Sequence, residues 1–156
     1  MGALMDLVAG DAREILLAIS IDDWGAFDDR SRFDAHLSLG GGLDPTWLDF
    51  FSEAVRKVTG GDGPSNFLEA RLELDGPGDL GERVVERVDP AWIEAIAALE
   101  DREVDGIAGA WVDLVEEELG FLPREEKPWI RQLAGDLVAF ARAAEGSRDI
   151  LFAWSL

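Results

Sequence analysis

The chain has 156 residues, 47% of them hydrophobic, and carries 33 Asp and Glu against 14 Lys and Arg, a formal net charge of −19. It has no cysteine, which excludes disulfides, thiolate metal sites, iron–sulfur clusters and cysteine nucleophiles. Without a basic footprint for phosphates it is not expected to bind nucleic acid, and no run approaches the ~20 apolar residues of a membrane-spanning helix.

Eight Phe and six Trp supply material for one packed core, so high charge here is not a sign of disorder. Residues 3–9 (ALMDLVA) form a short apolar run closed by Gly10, which suits a buried strand. Asp11 is placed to cap a helix through about Ile19, with Ile15, Leu16 and Ile19 on one face. Residues 22–42 are polar and irregular, and their pattern assigns no element. Asp44 and Pro45 then form a cap and first-turn proline, followed by Trp47, Leu48, Phe51, Ala54, Val55 and Val58 at helical spacing. Gly60 and Gly61 end that helix.

A shorter helix is expected from Ser65 to about Leu74, and residues 75–81 (DGPGDLG) read as loop. Residues 82–88 (ERVVERV) favour a short strand through their three valines, although their charges also fall at helical i,i+4 spacing. Asp89 and Pro90 repeat the cap-and-proline device ahead of Trp92, Ile93, Ile96 and Leu99. Longer helices follow over about 102–119 and 128–145, the second with Trp129, Ile130, Leu133, Leu137 and Phe140 inward. Residues 150–154 (ILFAW) close the chain with a second apolar run of strand length. The expectation is a single α+β domain over residues 1–156, mostly helical, with a small sheet that includes the N- and C-terminal strands.

Two segments share the pattern D-P-x-W-[LI]-[DE], at residues 44–49 and 89–94. A duplication would place the two Trp in a shared groove, but the pattern is also what two well-built helix starts require. Cap, proline, buried aromatic and an acid near the positive end of the helix dipole account for it, and the similarity fades after the sixth residue.

The opening Met1-Gly2 before a short strand, Leu43, Asp44 and Trp47 at a helix start that ends in Thr59-Gly60, and a helix bearing Phe140, Arg142, Ala143 and Ala144 before Ile150-Leu151-Phe152 form a recognisable layout. It resembles the YfbM-like proteins, a family of small bacterial proteins of unknown function. The resemblance implies an α+β fold with both terminal strands in one sheet, and no activity. That family usually shows a His directly after the helix Trp, where this chain has Leu48.

Chemistry must be built from few parts. His36 is the only histidine, so any Ser-His-Asp arrangement needs it, with Asp34 as the nearest acid in sequence and Ser31 and Ser38 flanking. No G-x-S-x-G elbow exists in the chain. One His and no Cys leave too few nitrogen or sulfur ligands for zinc. Asp22, Asp23, Asp28 and Asp29 do not follow the calcium-loop pattern, and Glu100-x-x-Glu103 lacks the second acidic pair of helical nucleotide pyrophosphatases. Gly40-Gly41-Gly42 lack the Lys of a phosphate loop, so no metal and no cofactor is expected. Arg30 and Arg32 form a basic island that can bind an anion or a partner's carboxylate, or neutralise Asp28, Asp29 and Asp34. Trp24 lies among acids in the irregular stretch and is a candidate for an interface.

The charge has two explanations. A surplus of acids with almost no lysine suits life in molar salt, where the Debye length falls to ~3 Å. Alternatively, the acids meet a basic protein partner. The sequence therefore points to an acidic, non-catalytic interaction or binding module, with halophilic adaptation as one source of its charge. It also allows an acidic inhibitor or immunity-type protein, or a small hydrolase using carboxylates with His36. No secretory n-region precedes the first apolar run, and a cytoplasmic location is the expectation.

Overall fold

A computed structural model of the protein describes residues 4–39, 45–61, 63–74 and 83–155. Asp44, Gly40-Gly41-Gly42 and the 75–81 loop, each singled out above, lie outside the described residues. The fold is α+β: an antiparallel sheet with helices on both sides, and both terminal strands in that sheet.

Strand β1 (Leu4–Gly10) leads into α1 (Ala12–Ser20), whose N-cap Asp11 accepts from the Arg13 backbone N–H. The stretch that the sequence left unassigned contains a 3-10 turn at Trp24–Asp28 and a short strand, β2 (Ala35–Ser38). Helix α2 (Thr46–Thr59) ends at Gly60, whose φ of 82° is the left-handed conformation that glycine adopts without a Cβ clash. Helix α3 is only Phe67–Ala70, and the chain then turns into strand β3 (Arg71–Leu72). The helix expected through Leu74 is thus cut short, because Arg71 and Leu72 pair with strand β4 (Arg83–Val88). The valines of β4 prevail over its helical charge spacing.

Helix α4 (Pro90–Ala97) starts on Asp89, which accepts from the Ala91 N–H, with Pro90 in the first turn. Helix α5 (Asp101–Leu119) opens with a capping box in which the Glu103 carboxylate accepts from the Glu100 N–H. Helix α6 (Lys127–Ala144) precedes the final strand, β5 (Asp149–Ser155).

The strand order is β2-β1-β5-β4-β3, with the terminal strands β1 and β5 paired at the centre from Leu4↔Ser155 to Gly10↔Asp149. Strand alternation divides the sheet into two faces. Met5, Leu7, Ala9, Val88, Ile150 and Phe152 belong to the larger core with α2, α4, α5 and α6. Val8, Val85, Leu151 and Ala153 form a thinner layer with Ile15, Ala18 and Ile19 of α1, and with Phe27 and Phe33.

Both Trp of the repeated D-P-x-W pattern are buried in the larger core. Trp92 donates its indole N–H to the buried Ser52 hydroxyl of α2, and the Trp47 carbonyl accepts from the Trp111 indole. The pattern therefore marks two helix starts anchored in one core. Trp129, expected inward, is 40% exposed and meets the Trp47 ring edge-on.

Candidate functional site

The unique histidine sits on the thinner face. In the β1–β2 register Val8 lies opposite His36 and Asp6 opposite Ser38, so Asp6 is the diagonal neighbour of His36 on the same side of the sheet. Asp6 is buried, with 7% of its surface exposed. His36 Nε2 lies 2.8 Å from Asp6 Oδ1, and its Nδ1 lies 3.0 Å from Asp28 Oδ1 at the end of the 3-10 turn. The imidazole also packs on Phe27, with ring centroids 5.4 Å apart, and Phe27 meets Trp24 and Phe33 edge-on.

Two carboxylates on one ring determine its protonation. Burial works against a charge on His36, but the hydrogen bonds and charges of Asp6 and Asp28 outweigh it and raise the pKa above its ordinary 6.5. The bond from His36 in turn lowers the pKa of Asp28. As imidazolium, His36 donates from both nitrogens and has no lone pair left to take a proton from a substrate. The arrangement is a carboxylate–imidazole–carboxylate clamp joining β1, β2 and the 3-10 turn.

The other candidates have separate partners. Asp34 does not touch His36; its Oδ2 accepts from the Ser147 hydroxyl at 2.7 Å, tying the start of β2 to the turn after α6. Ser31 donates to Asp29, which together with the Ser31 N–H lowers the Asp29 pKa. Arg30 donates to the Phe27 carbonyl at 2.7 Å, whereas Arg32 reaches Glu14 at 3.5 Å and lies over the Phe33 ring. Trp24 is half-buried beneath the guanidinium of Arg83, which pairs with Asp22. Arg30 and His36 both line a small cleft of about 260 Å³ between β2 and α6, which Asp136 and Phe140 also border.

Sequence proximity pointed to Asp34 as the partner of His36, and the structure uses Asp6 and Asp28. Asp6 carried a signal of its own, as the one acid in the apolar run ALMDLVA. Among the described residues, no three His, Cys, Asp or Glu side chains gather as a metal site, and no helix is long and apolar enough to cross a membrane.

A second concavity lies between α5 and α6. It has a volume of about 560 Å³ and is bordered by Ala108, Gly109, Val112, Pro128 and Gly135, with Arg124, Lys127 and Arg131 around it. The spacing of those three cations, at 124, 127 and 131, is the sequence signal that would have found it.

Compared with family models, with curated proteins and with solved structures, the chain matches none. The likeness to YfbM-like proteins thus rests on the residues named for it.

Proposed function

We propose that this protein is a non-catalytic binding module whose acidic surface meets a basic protein partner. The observation that carries the reading is the surplus of exposed acid, 33 Asp and Glu against 14 Lys and Arg, several of which are already ion-paired. Arg32, Arg83, Arg87, Arg142 and Arg148 each already hold a carboxylate. Asp113, Glu117 and Glu118 of α5 are exposed without an ion-pair partner among the described residues. Charge of this kind steers a cationic surface towards the molecule and raises its association rate. The hydrolase alternative draws less support, because both nitrogens of His36 already contact internal carboxylates.

A high-salt habitat is the second reading, favoured by the spread of exposed acids. Asp22, Asp23 and Asp29 lie on the α1 side of the sheet, and Asp101, Asp105 and Asp113 lie on α5 across it. Two measurements separate the readings. Surface plasmon resonance against a panel of basic globular proteins is expected to single out one, with affinity falling at least about tenfold from roughly 50 to 500 mM KCl. Uniform weak binding across the panel would remove the partner reading. Circular dichroism in dilute buffer and in molar KCl tests habitat: loss of structure on desalting supports it, and an unchanged spectrum rejects it.

A further inference from the structure

The cleft between α5 and α6 departs from the rest of the surface in charge and in backbone composition. Arg124, Lys127 and Arg131 all border it, although the whole chain has only 14 cations against 33 acids. Their own pairings are incomplete. Lys127 contacts Glu116 at 3.4 Å and lies over the Phe121 ring. Arg131 reaches Asp105 at 3.9 Å, with both side chains mostly exposed. Arg124 has no ion pair or hydrogen bond to another described residue. The acid facing the same space is Asp113, and Gln132 spends its amide N–H on Asp136.

The walls carry the second observation. Gly109 and Gly135 occupy facing helices, each well inside its helix, where glycine is less favourable than alanine by about 1 kcal/mol. Neither is required by packing, since a Cβ built on either would meet no atom within 4 Å. Neither has a positive φ that would demand glycine. Ala108, Val112 and Pro128 complete an apolar lining. The outcome is a cleft bordered by a glycine on each helix, with cations grouped around the start of α6. Its 560 Å³ is the size of a small-ligand site.

From this the geometry points to a binding site for a flat, apolar carboxylate, an aromatic acid whose ring lies between Gly109 and Gly135 and whose anion is held by Arg124 and Arg131. A guanidinium suits that role, since it offers paired N–H donors to a carboxylate. The site shares Asp113 with the acidic surface of α5, but its cations and its apolar walls are its own and its assignment does not rest on the partner reading.

The probe is 2-naphthoate, titrated into the full chain by calorimetry, with chemical shifts of labelled protein to locate it. We expect saturable binding with shifts confined to α5, α6 and residues 120–126. Neither 2-naphthylmethylammonium, which has the same rings and the opposite charge, nor sulfate, which has charge without rings, should bind comparably. R124Q/R131Q alters two exposed side chains and should weaken 2-naphthoate about tenfold. G135L should abolish binding by filling the slot. Because G135L also perturbs a helix, the head-group comparison on unaltered protein stands as its independent check. Equal affinity for the ammonium analogue, an unchanged affinity in R124Q/R131Q, shifts located elsewhere, or no binding at millimolar probe would each overturn the assignment.

Discussion

The two faces of the sheet are made by the same strands and differ in one respect that decides their chemistry. Under α2, α4, α5 and α6, alternate residues of β1 and β5 present Leu7, Ala9, Ile150 and Phe152 to a deep apolar core. There the indole N–H groups of Trp92 and Trp111 are satisfied by Ser52 and by the Trp47 carbonyl. On the other face, under the nine-residue α1 and a 3-10 turn, the same strands present Val8 and Leu151 together with Asp6, and β2 adds His36. A thin cover leaves Asp28 at the surface, so a charged ring can be held with one buried and one solvated carboxylate. A buried carboxylate is tolerable when it is paired and costly when it is not. The thick face gains stability from apolar area, and the thin face fixes the position of β2 with a charge cluster.

The strongest way to break this contrast is to remove volume from the thick face. Trp111→Ala deletes a fully buried ring that packs on Phe51 at 4.9 Å and removes the indole hydrogen bond to the Trp47 carbonyl. A loss of about 3–5 kcal/mol is expected, read as a lower urea midpoint at constant m-value. The thin-face counterpart is Asp6→Asn, expected to cost about 1–3 kcal/mol near pH 6. That loss should shrink at alkaline pH, where neutral His36 accepts a hydrogen bond from the new amide. Equal losses at both pH values would show that Asp6 contributes packing and not charge.

The wild-type protein should show the same cluster in its pH dependence. His36 has a raised pKa, so the folded state holds its proton more tightly than the unfolded chain. Stability from this group is complete below about 6.5, its unfolded value, and declines as pH rises through the higher folded value. Asp28 acts in the opposite direction: its pKa is lowered, so its contribution is complete above its ordinary value and is lost as pH falls through the lower folded value. The two together define a stability plateau between about 3.8, the ordinary value of Asp28, and about 6.5, that of His36. His36→Gln should flatten the alkaline shoulder, measured as Tm against pH, and a shoulder identical to wild type would assign it to another group.

What was legible in the sequence was what is local. Asp11 and Asp89 announced their helices because a cap acts on N–H groups two residues away. The apolar runs at both ends announced the central strands because burial on both faces removes alternation. The strand Ala35–Ser38 was not legible, since four residues at a sheet edge take their conformation from β1, some 30 positions earlier. The same distance hid the partners of His36: Asp34 is near in sequence, while Asp6 comes into reach only when β1 and β2 pair. Trp129 was misplaced for a different reason, because helical periodicity assigns a face without showing how far the neighbouring helix extends to cover it.

The smallest expected effect sharpens the comparison most, because it concerns a place where the thick side gives up stability. Gly109→Ala and Gly135→Ala each add a methyl where nothing lies within 4 Å, so neither overpacks the core. Helix propensity alone then favours alanine, by up to about 1 kcal/mol for each substitution. Neither added methyl meets an atom of the other helix, so both should raise stability, giving a higher urea midpoint in the double variant. If packing required the glycines, stability would fall; if helix propensity were their only consequence, 2-naphthoate would bind both proteins alike. A variant that is more stable and binds the acid less tightly is the outcome expected of residues kept for the slot, since in that case α5 and α6 hold glycine against their own helical preference.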